Sequence, residues 1–183
     1  MASASKEFLW PGNLFFAITR ESSISHISSR HGYLEDASFN SLFKKICIAS
    51  DHGGFNLKEN LKDFLINKNI SIIDLGTLKN KTVDYPDYAK KLSNRIKAKK
   101  SDVGILVCGS GTGMAISANK IKTIRAAVCY NVKSTRLSRE HNNANIIALG
   151  ARLTNKKLSL KLVEIFLKTK FEGGRHLKRV NKI

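Results

Sequence analysis

The chain has 183 residues, of which 42% are hydrophobic and 25% charged, a composition typical of one globular domain with or without a tail. Its apolar runs are too short to span a bilayer, and three cysteines are too few for a secreted disulfide scaffold, so we expect a cytoplasmic, reducing location. The net charge of +18 is compatible with a nucleic-acid partner or with a small anionic substrate.

Residues 1–43 differ from the rest of the chain. They contain nine serines, three basic and four acidic residues, and no sustained periodicity. We expect a poorly ordered extension here, followed by one domain over residues 44–183 that carries the positive charge. The acidic residues argue against an organelle transit peptide, and the short apolar stretch argues against a secretory signal.

Strands and helices alternate from residue 44 onward. Apolar runs predict strands over 46–50, 70–75, 103–108, 126–129 and 145–149. Helical spacing predicts helices over 55–68, 88–100, 133–139 and 156–168, another that begins at 114, and a basic tail over 171–183. Unbroken apolar strands between helices predict an α/β fold with a parallel sheet covered on both faces. Because ligands bind at the carboxyl ends of such strands, the candidate loops are 50–54, 76–86, 108–113, 130–142 and 150–155.

A glycine-rich turn follows the third predicted strand and opens a helix. Gly109, Gly111 and Gly113 allow the backbone to approach a ligand closely, and a helix start presents free N–H groups. The turn therefore predicts an anion-binding loop, although a tight connection without a ligand is the structural alternative. Its spacing fits neither the dinucleotide fingerprint nor the P-loop.

The cysteines divide into one candidate for chemistry and two for the core. Cys108 ends the strand before the glycine turn, and a helix start favours the thiolate, which is a nucleophile or a base. Cys47 and Cys129 lie inside strand runs, so we expect both to be buried.

The domain contains three histidines, His52, His141 and His176, all in predicted loops or in the tail. We expect them on one rim of the sheet, close to the glycine turn. No two of them have the helical spacing of metal ligands, so we expect no metal site.

The tail offers a second anion-binding feature. Arg175 and Arg179 lie one helical turn apart, after two glycines, and two guanidinium groups on one face suit a phosphate. A solvated basic terminus is the alternative. Together with Asp51 after the first strand, these features predict a small phosphorylated substrate from which a proton is moved.

Seven motifs occur in order from about residue 44 to the C-terminus: SDHGG at 50–54, DYP at 84–86, CGSGTG at 108–113, ANK at 118–120, SREHN at 138–142, GAR at 150–152 and EGGRH at 172–176. Together they resemble type B ribose-5-phosphate isomerase. The resemblance implies a Rossmann-like three-layer αβα sandwich with a five-stranded parallel sheet. It also implies a homodimer or a dimer of dimers with active sites at the subunit boundary.

The activity that the resemblance implies is the interconversion of ribose 5-phosphate and ribulose 5-phosphate through an enediolate, in the non-oxidative pentose phosphate pathway, without cofactor or metal. Cys108 corresponds to the base, and Ser110 to a group that assists the loop in stabilising the enediolate. His141 corresponds to the ring-opening residue, assisted by Asp51. One branch of the family uses a glutamate in the glycine loop as the base. In this chain that position is Thr112, whose side chain cannot act as the base. The implied substrate contacts are His52, Tyr85, Gly109, Gly111, Thr112, Gly113, Asn142, Arg152, Arg175 and Arg179.

Other functions stay open at this point. Galactose-6-phosphate isomerase subunits resemble the same family, and allose 6-phosphate is a further hexose candidate. A nucleic-acid binder is favoured only by charge, because the lysines are spread over several helices without an aromatic stacking motif, so we expect no nucleic-acid or membrane partner. A hydrolase would pair Cys108 with His141.

Overall fold

The computed structural model describes residues 39–183, and the predictions for residues 1–38 lie outside the described residues. The sheet contains β1 (Ile46–Ser50), β2 (Ile72–Asp74), β3 (Val103–Cys108), β4 (Ala126–Val128) and β5 (Ile146–Gly150), all parallel, in the order β2-β1-β3-β5-β4. The helices are α1 (Phe55–Asn67), α2 (Tyr85–Lys97), α3 (Thr112–Asn119), α4 (Val132–Glu140), α5 (Lys156–Lys168) and α6 (Gly174–Val180). Within residues 39–183, no helix has the length and hydrophobicity needed to cross a membrane.

Both faces of the sheet are covered by helices, which confirms the predicted α/β fold. Every residue of β1, β3 and β5 is buried. On one face the sheet packs against α1 and α5, and on the other against α2 and α3. In α1 the buried apolar residues are Leu57, Leu61 and Leu65, whose four-residue spacing places them on one side of the helix.

Several element bounds differ by a few residues from those predicted, and three differences bear on the fold. Helix α2 begins at Tyr85 rather than at residue 88, since Pro86 fits the first helical turn, where no N–H is needed. Strand β2 is shorter than predicted because it is an edge strand that pairs only with β1. The basic tail contains α6, which places Arg175 and Arg179 on one helix face.

Residues 39–43, which the sequence places in the extension, pack against the domain. The Phe39 ring meets the Phe64 ring edge to face, with centroids 6.1 Å apart. The Leu42 N–H donates to the Leu167 carbonyl at 3.0 Å, and Phe43 packs against the same apolar cluster. The ordered unit therefore begins before residue 44.

The strand order creates a crevice at the carboxyl edge, between β1 and β3. The chain leaves β1 towards β2 on one side and leaves β3 towards β4 on the other, so the two connections diverge. Ligands of open parallel sheets bind at such a point. Asp51 directly follows β1 and Cys108 ends β3, so the topology places both residues at this crevice.

Candidate active site

The loop between β3 and α3 folds around the Cys108 sulfur. The Gly111 N–H donates to Cys108 Sγ at 3.0 Å. Gly111 has a φ of 79°, in the left-handed region where glycine avoids strain. Cys108 is only 5% exposed. The sulfur therefore lies beside the first N–H groups of α3, in the position that the sequence predicts.

The loops after β1 and β5 support this glycine loop from two sides. Gly54 packs so closely on the end of β3 that a Cβ atom there would overlap the Val107 carbonyl. On the other side, the N–H groups of Ala151 and Arg152 donate to the last carbonyl of β3 and to that of Gly109, at 2.8 and 3.0 Å. The glycine loop is thus held mainly by backbone hydrogen bonds.

A hollow of about 360 Å³ opens at this point. Its lining combines a thiol, the Asp51 carboxylate, a hydroxyl and the Arg152 side chain, which lies against Gly109. Asp51 is 8% exposed, and its Oδ1 accepts the Gly54 N–H at 2.9 Å. Hollows of about 730 and 620 Å³ elsewhere in residues 39–183 contain no cysteine. The smaller hollow is therefore the better candidate for proton-transfer chemistry.

Most of the predicted site residues meet in this hollow. Gly53 and Leu153 also line it and were not predicted; Gly53 lies inside the SDHGG motif, whereas no sequence signal marks Leu153. The Tyr85 ring lies against Gly113, where a Cβ atom would come within 2.9 Å of the ring. The predicted residues that line the hollow are Asp51, His52, Tyr85, Cys108, Gly109, Ser110, Gly113 and Arg152, and Gly111 and Thr112 belong to the same loop.

Four predicted site residues, His141, Asn142, Arg175 and Arg179, are absent from this hollow. Helix α4 runs antiparallel to the strands, so His141 at its C-terminal end lies near the opposite, amino edge of the sheet. Arg125 directly precedes β4, and its Nε donates to the Asn142 carbonyl at 3.1 Å, which places Asn142 at that edge. The five residues of β5 separate the two edges by about 16 Å at the usual rise of a strand.

Comparison with known proteins identifies the family. Residues 46–183 match the family model described as Ribose/Galactose Isomerase. The chain belongs to the ribose/galactose isomerase family. Ribose-5-phosphate isomerase B of Escherichia coli is 41% identical over 140 residues, which are 76% of this chain and 94% of that protein.

Solved structures agree with this family assignment. Ribose-5-phosphate isomerase B from Clostridium thermocellum is 51% identical, with a TM-score of 0.75 over 75% of this chain and 93% of that one. Ribose-5-phosphate isomerase B from Mycoplasma genitalium, solved with bound ribulose-5-phosphate, is 40% identical, with a TM-score of 0.72 over 75% and 91% of the two chains. The five-stranded parallel sheet flanked by helices is thus the fold of this isomerase family.

The prediction that the three histidines of this family member share one rim is wrong. His52 lies at the carboxyl edge, whereas His141 and His176 lie together at the amino edge, with ring centroids 4.1 Å apart and nearly parallel planes. The candidate region over 130–142 contains α4, predicted over 133–139, and this helix carries the chain from one edge to the other. Burial, and then the neighbouring His141 and Arg175, lower the pKa of His176 below its ordinary value.

The other two cysteines lie in the core, as predicted. Cys47 and Cys129 are 0% and 1% exposed. Burial raises the pKa of the Cys47 thiol to about 11 and also raises the pKa of Cys129. All three cysteines are free thiols, and among the three only Cys108 lines a described cavity. The isomerase-family site therefore contains one thiol available for chemistry.

Proposed function

We propose that the protein interconverts ribose 5-phosphate and ribulose 5-phosphate in the non-oxidative pentose phosphate pathway. The observation that carries this proposal is the Cys108 thiol, which lies inside a glycine loop at the divergence of β1 and β3. A hollow of about 360 Å³ is of the size that binds small molecules. The relatives named ribose-5-phosphate isomerase B, one with ribulose-5-phosphate bound, support the same substrate class.

In the proposed reaction Cys108 is the general base. Its thiolate takes the proton from C2 of the open-chain aldose, the C–H electron pair forms the C1–C2 double bond, and the C1 carbonyl oxygen becomes an enediolate oxygen. The thiol then returns the proton to C1 while the O2 hydroxyl proton moves to O1. The first N–H groups of α3 and the Ser110 hydroxyl stabilise the enediolate charge. C1 is reduced and C2 is oxidised, so the step needs no external oxidant.

The remaining residues of the hollow bind the sugar and its phosphate. We assign Asp51 to the sugar oxygens and Tyr85 to a wall of the sugar site, since both line the hollow beside the thiol. His52 and Arg152 lie at its exposed rim, where a cationic or hydrogen-bonding group can reach a phosphate.

A homodimer completes the site in this proposal. His141 and Arg175, proposed for ring opening and phosphate binding, lie at the far edge of the sheet from Cys108 within one chain. In a twofold dimer, each chain can supply its amino-edge residues to the hollow of the other. Exposed apolar side chains support such contact: Leu153 lines the hollow and is 65% exposed, and Ile116 on α3 is 58% exposed. Three free thiols also fit a reducing, cytoplasmic location.

A direct assay tests the activity. The purified full chain is incubated with ribose 5-phosphate, and ribulose 5-phosphate is measured, with a version lacking residues 1–38 assayed in parallel. We expect turnover by both proteins, since the described contacts begin at residue 39. Folded full-length protein without turnover on ribose 5-phosphate would overturn the proposal.

A hexose phosphate is the second candidate substrate, because the matching family description names galactose as well as ribose. The same assay with galactose 6-phosphate and allose 6-phosphate distinguishes the two. We expect the pentose phosphate to give the highest kcat/KM. A higher value for either hexose phosphate would assign the protein to that substrate instead.

The hydrolase alternative pairs Cys108 with His141, two residues that would meet only in the proposed dimer. Cys108 and His141 lie at opposite edges of the sheet, so they form no catalytic pair within one chain. A hydrolase would require the two groups within hydrogen-bond reach. A burst of product from activated esters would argue for acyl transfer, and we expect none.

A further inference from the structure

Three side chains with metal-ligating atoms meet at the amino edge of the sheet. Nε2 of His141 and Nε2 of His176 lie 3.9 and 3.6 Å from Oε2 of Glu172. The ligand atoms of all three residues lie within 4.8 Å of one another, and no other group of this kind occurs within residues 39–183. We refer to these three residues as the His–Glu cluster.

Tertiary structure assembles the His–Glu cluster from two segments. His141 directly follows α4, and the Glu172 N–H donates to the Glu140 carbonyl at 3.1 Å, which fixes the start of the tail beside the end of that helix. Gly173 has a φ of 67°, and this left-handed turn leads into α6, which returns His176 to the same place. Glu172 and His176 lie 31 and 35 positions after His141 in the sequence. Sequence spacing therefore does not reveal that the three residues meet.

We propose that the His–Glu cluster binds Zn²⁺ or a similar divalent transition-metal ion. Two imidazoles and one carboxylate are an established zinc ligand set, and a water molecule would take the fourth position. Tetrahedral zinc with bonds of about 2.0–2.1 Å needs ligand atoms roughly 3.4 Å apart. The two histidine–glutamate separations of 3.6 and 3.9 Å exceed this only slightly, and all the ligand atoms lie within 4.8 Å of one another.

Binding requires a modest rearrangement of side chains. The two imidazole rings are nearly parallel, so one must turn before both Nε2 atoms point at one ion. The His141 side chain is 36% exposed and has room to turn, whereas His176 is held at 7% exposure. Arg175 Nε lies 3.4 Å from His176 Nε2, a long contact that the metal would displace. Its positive charge opposes the cation and lowers the affinity.

Metal binding would have a consequence for catalysis. A zinc ion on His141 occupies one imidazole nitrogen of the residue proposed to open the sugar ring, so we expect zinc to inhibit turnover. The inhibition rests on the proposed function, whereas the metal binding does not. Zinc binding is therefore measured without substrate, and inhibition is measured separately in the isomerase assay.

The test titrates the full chain with Zn²⁺ against a chromophoric chelator, and with Co²⁺ as a spectroscopic probe. We expect one ion per chain and a tetrahedral cobalt spectrum without a thiolate charge-transfer band. Glu172→Gln and His176→Gln should each weaken binding by about tenfold or more, whereas Arg175→Gln should tighten it. Circular dichroism of each variant checks that it is folded.

Cys108→Ser is the matched control, because the active-site thiol is the competing zinc ligand. We expect this variant to bind zinc as the unmodified chain does. Loss of binding in Cys108→Ser, a thiolate charge-transfer band, or unchanged binding in folded Glu172→Gln and His176→Gln would overturn the site. Zinc binding at the cluster without inhibition of an active enzyme would overturn only the inhibitory role. Binding by a chain that lacks isomerase activity would instead contradict the proposed function.

Discussion

At the scale of single residues, the environment of Cys108 distinguishes it from the other two thiols. The Gly111 N–H donates to its sulfur, and the sulfur faces a hollow, whereas Cys47 lies in the core with its thiol pKa raised to about 11 by burial. A base needs a lone pair that the substrate can reach and a hydrogen-bond donor beside it. Only Cys108 among the three cysteines combines the two.

Replacing Cys108 tests the proposed base. Cys108→Ser should lower kcat for ribose 5-phosphate by about 10²–10⁴-fold, the usual contribution of a general base, while KM changes little. Steady-state kinetics on the folded variant measures the effect. Near-normal turnover would contradict the assignment.

Cys47→Ala provides the matched control for this prediction. It removes a thiol that is 0% exposed and that points to the Val103 carbonyl rather than to the hollow. We expect kcat to stay close to the unmodified value, and the free energy of unfolding to fall by about 1–2 kcal/mol through the lost packing.

At the scale of elements, a buried ion cluster joins α1 to β2. Lys58 is 0% exposed, and its Nζ lies 2.6 Å from Asp74 and 2.7 Å from Glu59. Lys62 also contacts Asp74, at 2.7 Å. Although burial alone would raise the pKa of Asp74, hydrogen bonds from Lys58 and Lys62 hold it below its ordinary value. The charged groups thus anchor the edge strand to the helix.

Breaking this ion cluster should destabilise the fold. Asp74→Asn leaves a buried ammonium group with a single carboxylate partner, and we expect a loss of about 3 kcal/mol at neutral pH, measured by urea unfolding. Lys58→Met combined with Asp74→Asn should cost less, because no unpaired buried charge remains. Glu164→Gln removes the exposed pair with Lys168 and should change stability by less than about 1 kcal/mol.

The lowered pKa of Asp74 predicts how the free energy of unfolding depends on pH. Its pKa is lower in the folded than in the unfolded chain, so its contribution is present above the ordinary value of 3.8 and is lost as pH falls through the folded pKa. Asp74→Asn should therefore lose less stability on acidification than the unmodified chain. An equal acid dependence in the two proteins would show that Asp74 is not responsible.

At the scale of the whole molecule, the separation of the two edges makes the proposed dimer testable. Cys108→Ala removes the proposed base from one edge, and His141→Asn removes the proposed ring-opening group from the other; each protein alone should be nearly inactive. Refolding an equal mixture should restore about a quarter of the unmodified activity, because half of the dimers are mixed and each has one intact site. Recovery is measured with the ribose 5-phosphate assay.

Mixing two samples of the same variant provides the control and should restore no isomerase activity. Absence of recovery in the mixture, with mixed dimers shown by mass spectrometry, would mean that each site is built within one chain. That outcome would contradict the shared site while leaving the proposed reaction intact.

Charge also acts at this scale. The positive residues of the domain are spread over several helices, and the acidic groups at Glu59 and Asp74 are already paired with lysines. The surplus is therefore not collected on a single helix. A broad positive potential attracts an anionic sugar phosphate to the site and weakens with added salt.

Much of the candidate site could be predicted from the sequence because its signals are local. An apolar run that ends in Cys108 and three alternating glycines predict a strand, a turn and a helix start, and the structure has them in place. The acid after β1 reaches the same crevice because the carboxyl ends of parallel strands share one edge.

The arrangement of the other groups was decided only by tertiary structure. A helix that follows a strand returns antiparallel to it, so His141 at the end of α4 lies at the opposite edge from Cys108, although its motif places it among site residues. The burial of Lys58 and the meeting of Glu172 with two histidines likewise depend on contacts between distant segments. Short-range patterns determine which elements form, whereas packing determines which side chains meet.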